Sequence, residues 1–396
     1  MIANRVKGVK PSMTIAVISK VRALKASGVK VIDFGAGEPD FPTPGYIKAA
    51  AVKAIEENFT RYTPANGIPE LRTKIAEKLE KQNNLKYTKD EIIVGAGGKQ
   101  EIFNAMQVLV QEGDEVIIPA PYWVSYPDVV VLAGGKPVIA ETREQDDFGL
   151  SPETLSKLIT NKTKMIILNS PRNPTGTVYS KEDLEKLAEV LSTKEIYMLS
   201  DDVYEYFIYS GEPHLSIANI NSRMKDYTIV INSFSKTYSM TGWRIGYAAG
   251  PRKIIDAMNI FQGQATSNPN SIAQKACLAA LSGGEEELKN MVSAFRKRRD
   301  YTIEELNKIP GIKCSVPKGA FYAFFSIADF VGKKVEGREI KDCLSFAELL
   351  LEKEQIAVVP GVSFGAPNYI RLSYATNMED IKEGISRLQK LLSRCS

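Results

Sequence analysis

Thr228-Ile-Val-Ile-Asn-Ser233-Phe-Ser235-Lys236 is an apolar, β-branched run that stops at two serines and a lysine, and Thr241-Gly-Trp-Arg244-Ile-Gly follows closely. A short unbroken apolar run of this kind reads as a strand over 228–232, buried on both faces. Two hydroxyls, one amine and one guanidinium therefore gather just past its carboxyl end. Hydroxyls and a planar five-donor fork suit a phosphate dianion. A partly desolvated lysine beside a fixed cation has its ammonium form disfavoured. The free amine can then add to a carbonyl as a Schiff base. Taken alone, the segment could also be a polar loop with a surface lysine, though the functional reading is favoured over it.

Runs of the same texture lie at 91–94, 115–119, 164–169 and 196–200, and helical patterns such as 99–111 and 181–191 separate most of them. That alternation predicts an α/β sheet, mostly parallel, with right-handed crossovers. Ligands of such sheets bind beyond the carboxyl ends of the strands, which makes the residues after each run the informative ones. After 91–94 comes Gly95-Ala-Gly-Gly98-Lys99-Gln100, a glycine-rich turn opening a helix, where backbone N–H groups and the helix dipole favour an anion. After 196–200 comes Asp201-Asp-Val-Tyr204, a carboxylate able to keep a heterocyclic nitrogen protonated and so make the ring an electron sink. After 164–169 comes Ser170-Pro-Arg172-Asn173-Pro-Thr-Gly176, whose amide can donate to a ring oxygen, or which is a plain turn. After 115–119 comes Ala120-Pro-Tyr-Trp123, an indole that either stacks on a planar cofactor or belongs to the core. Five strand ends thus supply a phosphate cradle, an amine, a carboxylate, an amide and a flat ring.

From about Gly283 the texture changes to a long helix over 285–307, strands at 312–316 and 321–326, a helix near 345–354, strands at 356–359 and 369–374, and a last helix. This predicts a smaller α+β domain. A chain of 396 residues exceeds what one core usually supports, in keeping with two domains. A net charge of +4, with acids and bases interspersed, offers little for nucleic-acid or membrane steering. The basic run at 296–299 is followed by acids and reads as a solvated helix face. No apolar stretch approaches the ~20 residues of a membrane helix. Cys277, Cys314, Cys343 and Cys395 form no Cys-x-x-Cys pair, which suits a reduced cytoplasmic protein. His214 is the only histidine and sits in a turn-like segment, so lysine, carboxylate or tyrosine is expected to carry protons, and no metal site is expected.

The segments Gly35-Ala-Gly37-Glu-Pro-Asp-Phe, Arg61-Tyr62-Thr-Pro-Ala-Asn-Gly67, Pro121-Tyr-Trp123-Val-Ser-Tyr, Asn169-Ser-Pro-Arg-Asn173-Pro-Thr-Gly, Ser233-Phe-Ser-Lys236, Met240-Thr-Gly-Trp-Arg244 and Tyr369-Ile-Arg371-Leu-Ser-Tyr run in order along nearly the whole chain. In them the sequence resembles the class I aminotransferases of the fold-type I pyridoxal-phosphate enzymes, and among these the bacterial aspartate and aspartate/prephenate aminotransferases. The resemblance implies a large domain over 46–283 with a mostly parallel seven-stranded sheet. A small domain would be built from 1–45 and 284–396. Catalysis would rest on Lys236, Asp201 and Tyr204, with Lys236 carrying the cofactor and shuttling the proton and Asp201 pairing with the pyridinium. Asn173 and Tyr204 would meet the ring oxygen, and Trp123 would stack on the ring. Gly98, Lys99, Ser233, Ser235 and Arg244 would surround the phosphate, and Tyr62 would reach the phosphate of a neighbouring subunit, making a homodimer part of the site. Arg371 would clamp the substrate α-carboxylate under the backbone near Gly37. Lys99 and Thr14 match positions that bind the substrate's distal carboxylate in such enzymes, and Lys10 matches a position associated with prephenate use. Arg172 departs from the family pattern and is expected to add a cation near the mouth, and Asp202 stands where many relatives have Glu.

The implied activity is a ping-pong transfer of the amino group of aspartate to 2-oxoglutarate, with glutamate and prephenate as further candidates. Other donors (alanine or aromatic) and a β-elimination lyase remain open, because the same bound cofactor starts each path. A non-catalytic effector-binding module is the third possibility, though such proteins usually carry a separate DNA-binding domain, for which little chain precedes Asp33.

Overall fold

The computed structural model describes residues 2–9 and 13–396. Its centre is a seven-stranded sheet in the spatial order Ile92–Gly95, Gly246–Ala249, Thr228–Ser233, Tyr197–Asp201, Thr163–Asn169, Glu115–Pro119, Lys136–Ala140. All neighbours pair parallel except Gly246–Ala249, which runs antiparallel to both of its own. The middles of the strands are apolar because helices cover both faces, so most of their side chains meet one core or another. Two strands escape a reading by β-branched runs. Lys136–Ala140 starts on a charge and a proline at the sheet edge, where a missing N–H is harmless, and Gly246–Ala249 is made mostly of small residues.

The chain places Glu115–Pro119 and Lys136–Ala140 towards one edge and then crosses back to lay Thr163–Asn169 on the other side of Glu115–Pro119. That reversal opens a crevice past the strand ends, between the segments carrying Trp123 and Asn173. The helix Gly98–Leu109 starts directly beyond Ile92–Gly95, with Gly97 at φ +92° as its cap, a conformation that side chains resist.

A second core forms around the four-stranded antiparallel sheet Val359–Pro360, Tyr369–Ser373, Tyr322–Ser326, Lys313–Cys314, under the helices Glu285–Asn307, Cys343–Glu354 and Met378–Leu392. Tyr204, Phe207 and Tyr209, from the segment after Tyr197–Asp201, are packed into that core, so one strand end of the large sheet is anchored in it. The predicted strand at 312–316 shortens to Lys313–Cys314. The predicted strand at 356–359 divides. Ile356–Ala357 pairs parallel with Ile32–Asp33, while Val359–Pro360 pairs with Tyr369–Ser373. The first pairing carries the chain past Phe34, whose carbonyl accepts from Ser373 N at 2.8 Å, and so lays 35–37 beside Arg371. No helix among the described residues is long and apolar enough to cross a membrane.

Candidate active site

Twelve of the predicted site residues line one cavity of about 280 Å³: Gly37, Gly98, Lys99, Trp123, Asn173, Asp201, Tyr204, Ser233, Ser235, Lys236, Arg244 and Arg371. They come from both sheets, and the crevice is where the two units meet.

Thr228–Ser233 ends in Ser233, which caps the short helix Phe234–Thr237 by accepting from Ser235 N at 3.0 Å. That turn aims the stem of Lys236 into the cavity, where Nζ donates to Gly37 O at 2.5 Å. Burial lowers the Lys236 pKa to about 8 against the pull of Glu38, and the cations Arg371 and Arg244 assist the drop. At neutral pH roughly a tenth of the amine is then unprotonated, against about one part in a few thousand for an ordinary lysine, and nucleophilic attack on a carbonyl requires that form.

Across the cavity, Asp201 is buried at the end of its strand, and burial raises its pKa to about 6. Tyr126 Oη donates to Asp201 Oδ2 at 2.6 Å and opposes that rise, and Asn169 Nδ2 holds the Asp201 carbonyl at 2.8 Å. A buried carboxylate with one donor already in place is set to receive a second from a protonated ring nitrogen. Trp123 stands edge-on to Tyr126 at 5.3 Å between centroids, and Lys99 Nζ lies 4.8 Å over its ring. Burial, and next Arg244, lower the Lys99 pKa.

Arg244, at φ +56°, spans the cradle, donating to Thr241 O at 2.9 Å and to Ala96 O at 3.2 Å. A methyl built on Gly97 would sit 2.6 Å from Arg244 Nη2, so the turn is glycine-lined where the guanidinium passes. Hydroxyls of Ser233 and Ser235, 2.8 Å apart, and the first turn of Gly98–Leu109 complete a donor-rich pocket that fits a phosphate.

Arg371 is buried between the rings of Tyr322 (4.5 Å) and Phe364 (5.1 Å). Its Nη2 donates to Gly35 O at 2.7 Å and its Nη1 to Asn173 Oδ1 at 3.1 Å, while Nε has no partner. Those partners are a carbonyl and an amide oxygen, not carboxylates, so hydrogen bonds to neutral groups rather than an ion pair hold it. A buried guanidinium with a spare donor and no carboxylate hydrogen-bonded to it among the described residues suits an incoming carboxylate. Tyr204 Oη lies 2.7 Å from Tyr322 Oη, a partner from the C-terminal sheet that the reading by strand ends missed because Tyr322 lies on a strand rather than after one. Tyr126 was overlooked too, although it closes the quoted motif at 121–126.

Other expectations fall outside the cavity. Arg172 is not at the mouth. It is buried, donating to Phe148 O at 2.6 Å and to Tyr179 Oη, and serves to pin the loop around 148. Tyr62 is 91% exposed and is not among the residues that line this cavity. Lys10 and the side chain of Thr14 lie outside the described residues. His214 is buried away from the site with Nε2 3.2 Å from Asp202 Oδ2, and Ser200 Oγ also donates to Asp202. Burial opposes its protonation, yet Asp202 and Glu205 raise its pKa on balance.

Comparison with known proteins agrees with this geometry. The family model described as aminotransferase class I and II matches residues 29–388. The chain is 46% identical over 395 residues to the aspartate aminotransferase of Bacillus subtilis, covering 100% of both. It is 49% identical over 383 residues to the aspartate/prephenate aminotransferase of Cereibacter sphaeroides, covering 96% of both. Among solved structures, the aspartate aminotransferase of Rhizobium meliloti superposes with a TM-score of 0.96 at 43% identity, covering 100% of both chains. The Thermus thermophilus aspartate aminotransferase with maleate gives 0.93 at 41% identity and 99% coverage of each. Matched by the family model over residues 29–388 and similar to these relatives along nearly their whole length, the chain belongs to the class I and II aminotransferases, and its cofactor is the pyridoxal 5′-phosphate used by members of the aspartate aminotransferase type.

Proposed function

We propose that this transaminase moves the amino group of aspartate to 2-oxoglutarate in a ping-pong cycle, with glutamate as the returning donor. The observation that carries the proposal is the pairing of two cationic groups around one amine. Arg371 offers a spare donor for an α-carboxylate, and Lys99 lies by Trp123 where a second, distal carboxylate can be met. The names of the relatives point the same way.

Pyridoxal 5′-phosphate, when bound, supplies an electron sink for the charge left at Cα when its proton departs. The protein does the rest. Ser233, Ser235, Arg244 and the N-terminus at Gly98 and Lys99 would grip the phosphate. Asp201, held by Tyr126, would keep the ring nitrogen protonated. Trp123 would cover one ring face, and Asn173 and Tyr204 would contact the ring oxygen. Arg371 would orient the donor so that its Cα–H faces Lys236. The Lys236 amine would be the base that takes that proton and the acid that gives it back. Its lowered pKa keeps it competent as a base near neutral pH.

We further assign 46–283 to a large domain and 1–45 with 284–396 to a small one. The family resemblance supports a homodimer in which Tyr62, 91% exposed and not lining its own chain's cavity, completes the neighbouring site. The four unpaired cysteines suit a reducing, cytoplasmic setting. Incubation with aspartate and 2-oxoglutarate, then with a panel including alanine, phenylalanine and prephenate, tests the substrate assignment. Oxaloacetate and glutamate are expected as products, whereas ammonia and pyruvate would mean a β-elimination lyase.

A further inference from the structure

Beneath the cradle lies a carboxyl group that the reaction does not use. Glu101, in the first turn of Gly98–Leu109, is wholly buried with Oε1 unpartnered. A methyl built on Gly95 would collide with Glu101 Oε1 and come within 2.7 Å of Gln262 Oε1 and 2.9 Å of Gln100 Oε1. Three acceptor oxygens therefore converge over one glycine Cα. Two of them cannot turn into donors. Gln262 Nε2 is committed to Ala65 O (2.6 Å) and Val94 O (2.9 Å), and Gln100 Oε1 accepts from Ala96 N while its Nε2 donates to Thr266 Oγ1 at 2.7 Å. Asn104 Nδ2 gives its bonds to Gln262 Oε1 at 2.9 Å and Glu101 Oε2 at 3.4 Å.

Among the described residues no charged group acts on the Glu101 carboxyl, on which only burial and the hydrogen bond from Asn104 bear. Ile92–Gly95 presents Gly95, the helix Arg252–Ala265 presents Gln262, and its own helix presents Gln100 and Asn104. The cations of the cradle are turned elsewhere, Lys99 to Trp123 and Arg244 to the carbonyls of Thr241 and Ala96. A carboxylate here would be a buried, unpaired charge among acceptors, whereas a carboxylic acid supplies the donor that the cluster lacks.

We propose that Glu101 is a positioning residue for the cofactor phosphate that works as an uncharged acid. Its proton ties the Gly95 turn to Gln262 and through it to the loop at Ala65, and its loss at alkaline pH sets a bare negative charge behind the phosphate cradle. Burial lifts its pKa to about 8, which places the change just above neutrality. The inference rests on the cradle holding a phosphate and not on which amino acid is the donor.

The test titrates full-length apoprotein, wild type and Glu101→Gln, with pyridoxamine 5′-phosphate, which forms no bond to Lys236, from about pH 6.5 to about pH 9.5. The wild-type to variant ratio of dissociation constants is expected to be level near neutrality and to rise on the order of tenfold at the alkaline end, one decade of binding. With pyridoxamine, which lacks the phosphate, the ratio is expected to stay level throughout. The thermal midpoint of the apoprotein should also fall relative to Glu101→Gln as pH rises from about 5 to about 8 and level off above that, because in this window the folded acid holds a proton that the unfolded chain has already released. A ratio independent of pH, or one rising equally without the phosphate, overturns the proposal. So does a Glu101→Gln protein that fails to fold, since the exchange removes only a charge held to be absent.

Discussion

Replacing Arg371 by lysine keeps a positive charge and removes the fork. In the structure the guanidinium spends one donor on Gly35 O and one on Asn173 Oδ1 and keeps Nε free, while both of its faces are covered by aromatic rings. An ammonium cannot hold that frame and still present two parallel donors to a carboxylate. The loss is then about one charge-assisted hydrogen bond, roughly 1.5–3 kcal/mol. At 1.36 kcal/mol per decade this is about ten- to 150-fold in kcat/KM for aspartate. Stopped-flow measurement of the first half-reaction, following cofactor absorbance against aspartate concentration, reads this directly. The decisive control is an amine without an α-carboxylate, which reacts slowly with wild type and should lose little further in Arg371→Lys. A change below about threefold with aspartate, or an equal loss with both compounds, would refute the clamp and make Arg371 a packing residue.

Lys236→Ala is expected to lose at least the ~10²–10⁴ of general acid–base catalysis together with the absorbance of covalently held cofactor; near-normal turnover would end that assignment. In the apoprotein, Lys236→Met should raise the melting temperature most below about pH 8, with the gain fading as pH climbs towards the ordinary lysine range, because the unfolded chain there holds a proton that the folded one has given up. A gain that is level with pH would contradict the lowered pKa. Tyr126→Phe removes the donor that restrains the Asp201 pKa and should slow the first half-reaction about tenfold or more, as the loss of one hydrogen bond to a charged group implies; unchanged half-reaction rates would show that Asp201 needs no such support. Lys99→Ala should raise KM for aspartate far more than for alanine, and identical shifts for both would remove it from recognition of the distal carboxylate.

The order of motifs and the residues after each predicted strand were legible from the chain because catalytic groups in parallel sheets collect at carboxyl ends, and local patterns mark where those ends fall. Lys236, Asp201, Asn173, Trp123 and the Gly95–Gly98 turn all follow that rule. Family resemblance added Arg371 and Gly37, which no local pattern brings together. Where the reading went astray, the deciding facts were not local. Arg172 follows a strand like its neighbour Asn173, yet its side chain turns inward to Phe148 and Tyr179. The strand Gly246–Ala249 has little propensity of its own and exists because two neighbours pair with it.

What the sequence by itself determined is the kind of chemistry: an amine, a carboxylate and an anion cradle spaced along an alternating α/β pattern. Only tertiary structure decided how those groups are tuned. Burial, and not residue type, lowers the Lys236 pKa and raises those of Asp201 and Glu101. The pairing of Ile32–Asp33 with Ile356–Ala357 brings Gly35 to Arg371 across 336 residues of chain. Desolvation and long-range contact depend on what surrounds a group in space, and a linear order of residues does not carry that information.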